Sequence, residues 1–325
     1  MRINAGKLVG LGASIALLAV CVAYALRNID VAQLKHAFAR ADITWIVLAT
    51  VFVAISLWLL AVRTAFVLRA YGASDLTVPA VFRLQLIALF LSYSVPIGGA
   101  VDVARVGMYA LRFHLSVRDS SCAVIIERLA GLFGILLAFA LTLPFEAFFR
   151  LSPTIVIYQL LGGASIIGLT LGLMAAVKIG SRMPIAVIRR ISGFFGPILP
   201  FIQSPGNVLV QGLVAMAGIL AICGSIYCLS QAFAAGFTIP MVLVFTPVVL
   251  VANYMPFLYA GWGGREMAFL LTFATAPTTT VESTLVVSVT FGILFLLVSL
   301  PGAVFWLTRP RFVKTAKATH SYSEA

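Results

Sequence analysis

Apolar runs long enough to cross a lipid bilayer recur along the whole chain. A membrane-spanning helix needs about 20 such residues. With 62% hydrophobic and only 10% charged residues, a chain of 325 residues cannot cover itself with a polar surface in water. We therefore predict an all-α, polytopic membrane helix bundle with about eight hydrophobic segments. The segments are residues 8–26, 43–62, 81–95, 121–143, 154–177, 208–235, 241–254 and 285–306.

The first apolar run follows two basic residues, Arg2 and Lys7, which is also the composition of a secretory signal. Its apolar core is long for a signal, and many more spans follow. We interpret it as a first anchor helix.

The charge of the chain predicts its orientation. The net charge is +12, and in a membrane protein such an excess marks cytoplasmic loops and anionic headgroups rather than nucleic acid. Basic residues cluster in 178–190 and in the C-terminal tail. We predict a multi-pass membrane protein with both termini in the cytoplasm, provided that 81–104 and 241–276 each enter and leave on one side. If 81–104 spans instead, the N-terminus moves outside and the charge bias weakens.

Arginines interleave with apolar residues and prolines between Arg182 and Gln203. This pattern favours a segment lying in the cytoplasmic interface, with an ordinary basic loop as the alternative. The sequence thus predicts one integral membrane domain over residues 1–307. Its halves, 1–177 and 207–307, are joined by a basic interfacial segment, 178–206, and a short basic cytoplasmic tail, 308–325, follows.

We predict no cofactor and no metal site. The four cysteines form no C-x-x-C pair and the three histidines are scattered, so neither a disulfide framework nor a ligand cluster is indicated. No G-x-x-x-x-G-K-[ST] motif occurs, so active transport would need a gradient or a partner.

Each half contains one interrupted apolar segment, "LSYSVPIGGAVDVAR" and "VANYMPFLYAGWGGREMAFLL". Superposing Pro96 on Pro256 aligns Arg105 with Arg265, which is a weak internal repeat. Paired segments of this kind point to a transporter binding site. The residues expected to break the helices are Pro96, Gly98, Gly99, Pro256, Gly261, Gly263 and Gly264.

Irregular backbone in a membrane implies a buried polar site, because the freed N–H and C=O groups must be satisfied by protein, water or ligand. A new helix starting near Asp102 or Gly264 would direct its N-terminal amides at that site and favour the binding of an anion. Arg105 and Arg265 would add full positive charges with fork-shaped donors that suit a phosphate.

Three carboxylates accompany arginines in or beside membrane segments: Asp102 with Arg105, Glu127 with Arg128, and Glu266 with Arg265. An uncompensated charge within a span costs about 3 kcal/mol or more. Adjacent helical residues point about 100° apart, so Glu127 and Arg128 are expected to pair with other segments, for example Arg105 or Arg265 with Glu127. Such charges form either a functional site or an ionic knot that locks helices, and we favour the site.

In their order and spacing, the motifs P-x-G-G, D-x-x-R, E-R-x-x-G and a C-terminal P followed by G-x-G-G-R-E resemble a known family. It is the membrane domain of lysylphosphatidylglycerol synthases and the related flippase-like proteins. The matching residues are Pro96, Gly98, Gly99, Asp102, Arg105, Glu127, Arg128, Gly131, Pro256, Gly261, Gly263, Gly264, Arg265 and Glu266. Arg63 and Arg69 also sit where the family commonly has arginine. The resemblance covers nearly the whole chain.

The resemblance implies a multi-pass inner-membrane protein that moves or presents a lipid with a charged headgroup, a membrane phospholipid or glycolipid. The residues expected to bind the headgroup are Arg105, Arg265, Asp102, Glu127, Arg128 and Glu266. The arginines would hold an anionic headgroup, and the carboxylates would hold the arginines and are able to bind a cationic headgroup or a proton.

We expect no lysyl transfer, because the 19 residues after Trp306 cannot contain an aminoacyl-transferase domain. One alternative function is a membrane-embedded enzyme of a polyprenyl, glycolipid or hopanoid-type lipid pathway. The other is an accessory or scaffold subunit of such a pathway, with a lipid-biosynthesis enzyme as its partner.

Overall fold

The computed structural model describes residues 41–94, 100–149, 153–180, 182, 186–252 and 264–308. Within these ranges the chain forms eleven α-helices and one 3-10 turn, Phe273–Thr275. The helices are α1 (Ile43–Ala70), α2 (Val78–Ser94), α3 (Ala100–Phe113), α4 (Val117–Phe149), α5 (Pro153–Gly180), α6 (Ala186–Phe194), α7 (Ile198–Gln203), α8 (Pro205–Ala232), α9 (Ile239–Ala252), α10 (Gly264–Thr272) and α11 (Val281–Leu307).

The prediction of a polytopic membrane helix bundle is confirmed. Five of the described helices, α1, α4, α5, α8 and α11, are long and apolar enough to span a bilayer, and α2 and α9 are shorter apolar helices. These seven helices coincide with seven of the eight apolar runs. The first run, 8–26, lies outside the described residues.

The structure describes two helices in each interrupted segment, one on either side of residues that lie outside the described ranges. The first runs from α2, ending at Ser94, to α3, beginning at Ala100. The second runs from α9, ending at Ala252, to α10, beginning at Gly264. Asp102 lies in the first turn of α3 as described, and Gly264 is the first described residue of α10. The other six predicted breaking residues lie outside the described residues: Pro96, Gly98, Gly99, Pro256, Gly261 and Gly263.

Short polar residues set the ends of the long helices. The Asp42 side chain caps α1 by accepting from Thr44 N at 2.8 Å. At the start of α11, Thr280 and Ser283 form a reciprocal capping box. Both caps satisfy backbone donors that the first helical turn leaves without partners.

The long helices of the two predicted halves interlock. α1 packs along α8, and α2 packs along α11, so each contact joins one half to the other. Glycines permit the close approach. Gly224 of α8 lies against Phe52, and Gly302 of α11 lies against the backbone of α2 at Leu86 and Ile87. Small residues at helix contacts are typical of membrane bundles, where backbones approach closely.

A Gly302→Ala variant is expected to lose stability. The added Cβ would lie 2.8 Å from Ile87 N, which is backbone and can yield only if α2 and α11 separate. Overpacking of this kind costs roughly 1–3 kcal/mol. Gly218→Ala on α8 is the matched control, because an added Cβ there meets nothing within 4 Å. Unfolding in detergent followed by circular dichroism should separate the two variants, and equal midpoints would contradict the packing argument.

The basic segment between the halves is helical and tied to the ends of other helices. Arg118 of α4 donates to the carbonyls of Phe194 at 2.9 Å and Gly193 at 2.5 Å. Tyr71, just after α1, donates to Pro197 O at 3.0 Å, and burial raises the pKa of its hydroxyl above the usual value. Arg189 is exposed. The segment is therefore held through its backbone carbonyls to α4 and to the residue after α1, while its location in the membrane interface remains a prediction.

Candidate functional site

Two ion pairs join the helical hairpin formed by α3 and α4. Arg105 of α3 pairs with the carboxylate of Glu127 on α4. Arg128 of α4 pairs with Asp102 of α3, its Nε donating to Oδ2 at 2.9 Å. Because Glu127 and Arg128 are adjacent on one helix, they reach different turns of the facing helix. The expectation that both residues pair with another segment is confirmed, and Arg105 is the partner of Glu127.

The two pairs differ in depth. The Glu127 and Arg105 side chains are 2% and 12% exposed, whereas those of Asp102 and Arg128 are 25% and 38% exposed. Charges removed from water gain strongly from pairing and lose strongly when one partner is removed. The Arg105–Glu127 pair is therefore the energetically critical one, and the Asp102–Arg128 pair is closer to a surface ion pair.

A third arginine, Arg63, enters the same region from α1. It is buried, its terminal guanidinium nitrogen donates to the backbone carbonyl of Glu127 at 3.0 Å, and its Nε has no hydrogen-bond partner. In the part of the chain that the structure describes, no carboxylate lies within ion-pair distance of it. Counting the described residues, the inner region thus contains the guanidinium groups of Arg63 and Arg105 and one carboxylate, that of Glu127.

Polar side chains surround these charges. Gln85 donates to Thr64 Oγ1 at 2.7 Å, and Tyr109 Oη lies 3.5 Å from Glu127 Oε1. Gln211 of α8 donates from Nε2 to the backbone carbonyl of Arg63 at 3.2 Å. We call this set the buried cluster: Arg63, Gln85, Arg105, Tyr109, Glu127 and Gln211. In a low-dielectric interior such a network positions its charges rigidly.

Arg63 is the charged residue of the buried cluster that sequence reasoning missed, and Gln85, Tyr109 and Gln211 are the polar ones. Arg63 follows directly after the apolar run 43–62, where a basic residue ordinarily extends toward the headgroups. Helix α1 continues to Ala70, however, which places Arg63 about two turns inside the helix. The one available signal was that the family it resembles commonly has arginine at this position.

Arg265 and Glu266 form a separate pair in the first turn of α10. Arg265 donates to Glu266 Oε1 from Nε at 3.1 Å and from a terminal nitrogen at 2.6 Å, and both residues are buried. The Arg265 guanidinium also lies 6.0 Å from the ring centroid of Phe291 and against Gly292, both on α11. Unlike Glu127 and Arg128, these neighbours bond to each other, and α11 supplies the surface on which they lie.

A Gly292→Ala variant is expected to displace Arg265 without unfolding the protein. An added Cβ would lie 2.8 Å from the Arg265 Cζ, so the flexible end of that side chain must move. We expect an unfolding midpoint close to that of wild type, together with reduced binding of any ligand that Arg265 contacts. Thermal unfolding and lipid binding measured on the same preparation check this. A large drop in the midpoint would show that Arg265 supports the fold.

The structure brings Asp102, Arg105, Glu127 and Arg128 together with Arg63 on α1, α3 and α4. It places Arg265 and Glu266 on α10 against α11, with Gly264 as the first residue of that helix. Among the described residues, no group of three His, Cys, Asp or Glu side chains is arranged to hold a metal ion. The arrangement supplies guanidinium donors beside an apolar interior, which suits an anion that carries an apolar part.

Comparison with protein families identifies the chain. The model of the lysylphosphatidylglycerol synthase TM region matches residues 11–302, which include both interrupted segments and the three ion pairs found among the described residues. None of the curated proteins compared with the chain matches it. The extent of the family match and the helical membrane fold agree, and the chain belongs to the family of the lysylphosphatidylglycerol synthase TM region.

Proposed function

We propose that this multi-pass membrane protein binds a lipid with an anionic headgroup and moves it across, or presents it within, the bacterial inner membrane. The family associates the chain with a membrane lipid, the substrate class of lysylphosphatidylglycerol synthases. Both termini are proposed to lie in the cytoplasm, as the distribution of basic residues favours.

The observation that carries the proposal is the excess positive charge of the buried cluster. Arg63 and Arg105 face one carboxylate, that of Glu127, among the described residues. A buried charge without a counter-ion is costly in a membrane. A phosphate group entering beside Arg63 would neutralise it and accept charge-assisted hydrogen bonds, for which a guanidinium is the best donor among side chains.

The remaining predicted site residues take supporting roles in this proposal. Glu127 orients Arg105, and Asp102 orients Arg128 nearer the surface, where an entering headgroup would first meet the protein. Arg265, held by Glu266, would provide a further guanidinium in the other half. We assign these residues to headgroup binding because ionisable residues within membrane segments are, by default, functional-site candidates.

A structural role for the charges is the rival interpretation, and one observation favours it. Arg105, Arg128 and Arg265 each already have a carboxylate partner. An ionic knot of this kind would join helices in a scaffold or accessory subunit without binding a ligand. The two interpretations differ over Arg63, because a knot does not need a cation without a carboxylate.

Native mass spectrometry with lipidomics tests the proposal. The wild-type protein in mild detergent should retain one class of anionic lipid, and Arg63→Met should lose it at an unchanged unfolding midpoint. Proteoliposomes containing a headgroup-labelled phosphatidylglycerol then test movement. The readout is the fraction of label that an external quencher can still reach, and movement of the lipid to the inner leaflet lowers this fraction. Absence of any selectively retained lipid in the wild type would overturn the proposal.

A further inference from the structure

An apolar cavity of about 180 Å³ lies between four helices beside the buried cluster. Its walls come from α4, α5, α7 and α8, and include Ala130, Phe133, Ile166, Phe201 and Val208. Thr170 and Gln211 are its polar lining residues. The Thr170 hydroxyl is already satisfied, because it donates to Ile166 O at 2.8 Å. Water gains little in such a site, since it needs two to four polar partners.

The cavity faces the lipid side of the bundle. Two of its lining residues, Ile167 and Leu171 on α5, are 46% and 60% exposed. Only 18% of an 18-residue apolar stretch of α5 is buried, so most of this helix faces outward. In a bilayer, acyl chains are the molecules in contact with such a surface. A cavity similar in size to the engineered one of about 150 Å³ that admits benzene is wide enough for a hydrocarbon chain. A helix with its side chains is about 10–12 Å across and cannot enter it.

Gln211 connects the cavity with the buried cluster. Its Nε2 donates to the Arg63 carbonyl, and because that carbonyl only accepts, the orientation of the amide is determined and Oε1 is left without a hydrogen-bond partner. Ile126, another lining residue, directly precedes Glu127. Gln211 and Ile126 therefore place the apolar cavity beside the buried cluster, as the acyl chain lies beside the headgroup in a lipid.

We infer that this cavity binds one acyl chain of the lipid whose anionic headgroup is held at the buried cluster. The inference rests on the proposed function and adds where an acyl chain of the proposed lipid ligand binds. Access is on the side of α5, where Ile167 and Leu171 meet the bilayer, and the chain packs against Ala130, Ile166 and Val208. Gln211 lies at the boundary between the chain and the polar part of the lipid.

Photo-crosslinking with a lipid that carries a diazirine on its acyl chain tests the inference. The full chain is placed in vesicles of phosphatidylglycerol and phosphatidylcholine with a trace of phosphatidylglycerol bearing that acyl chain. After irradiation, the labelled peptides are mapped. In the wild type we expect labelling at Ile166 and Val208 to exceed labelling at Leu213, which is 59% exposed and reports ordinary contact with bulk lipid.

Filling the cavity should remove the specific labelling. Ala130→Phe places a ring where the chain would lie, and labelling at Ile166 and Val208 should fall on the order of tenfold, because each methylene excluded from the site lowers affinity. Ala217→Phe, the same substitution at an exposed position of α8, is the matched control and should change nothing. If Ala130→Phe does not fold, Val208→Phe fills the cavity from α8, with labelling read at Ile166.

The outcomes separate this inference from the proposed function. Labelling at the cavity that equals that at Leu213, or that persists after filling, overturns the acyl-chain site even if the wild type retains an anionic lipid. Absence of cavity labelling in the wild type also overturns it, as expected if another segment of this chain occupies the space. Cavity labelling that is equally strong with phosphatidylcholine bearing the diazirine supports the chain site and counts against the anionic headgroup.

Discussion

An Arg105→Met variant should be less stable than the wild type by about 3–5 kcal/mol, because Glu127 would remain as a buried carboxylate without its ion-pair partner. Unfolding in mixed detergent micelles, followed by circular dichroism, measures the loss. Arg128→Met is the matched control on the same hairpin. Its pair with Asp102 is partly exposed, so removing it should cost at most about 1 kcal/mol. Equal losses in the two variants would contradict the difference in depth between the pairs.

The double variant Arg105→Met, Glu127→Leu distinguishes a site from a knot. Replacing both charges by apolar residues of similar volume is often neutral or stabilising, so we expect a stability within about 1 kcal/mol of the wild type. The net charge of the buried cluster stays the same, because one cation and one anion are removed together. Weakened lipid binding in this well-folded variant would show that Arg105 contacts the ligand. Unchanged binding would identify the pair as structural.

Arg63→Met is expected to bind lipid less tightly without losing stability, whereas Arg105→Met is expected to lose stability. Arg63 is a buried cation whose described partner is a backbone carbonyl, so its removal relieves a desolvation cost and should leave stability unchanged or slightly higher. A hydrogen bond to a charged group contributes about 1.5–3 kcal/mol, so affinity for an anionic lipid should fall roughly 10–100-fold. Titration with phosphatidylglycerol in native mass spectrometry measures the change.

Arg69→Met is the control for this comparison. Arg69 lies on the same helix but is exposed, and it donates to Leu76 O at 3.1 Å outside the cluster. We expect it to bind lipid as the wild type does. A strongly destabilised Arg63→Met with unaltered lipid binding would show that Arg63 supports the fold and would remove the main argument for the proposed function.

The helices, and the need of Glu127 and Arg128 for partners on another segment, were predictable from local sequence. Apolar runs of spanning length predict helices directly, because in hydrocarbon the backbone has no other way to satisfy its hydrogen bonds within a segment. The geometry of adjacent helical residues also predicted that Glu127 and Arg128 would pair with another segment. That prediction needs only the 100° rotation per residue and the cost of an unpaired charge.

Which arginine meets Glu127 could not be predicted, since Arg105 and Arg265 both satisfy the local rules. The choice depends on the α3–α4 hairpin, which places Arg105 opposite Glu127, while α10 starts so that Arg265 bonds to its own neighbour. Arg63 was not predicted as a site residue, because its surroundings also depend on how distant helices pack. Its distance from the end of α1 depends on where that helix stops, and its neighbours come from α4 and α8.

The sequence by itself determined that this protein lies in a lipid bilayer, that it is helical and which family its motifs resemble, because these properties depend on composition and on local spacing. The tertiary structure alone decided how the charges are distributed. It buried Arg63 beside the pair of Arg105 and Glu127, and it left an apolar cavity next to them between α4, α5, α7 and α8. Charge balance and cavities arise where several helices meet, and residues far apart in sequence have no local pattern that specifies their contact.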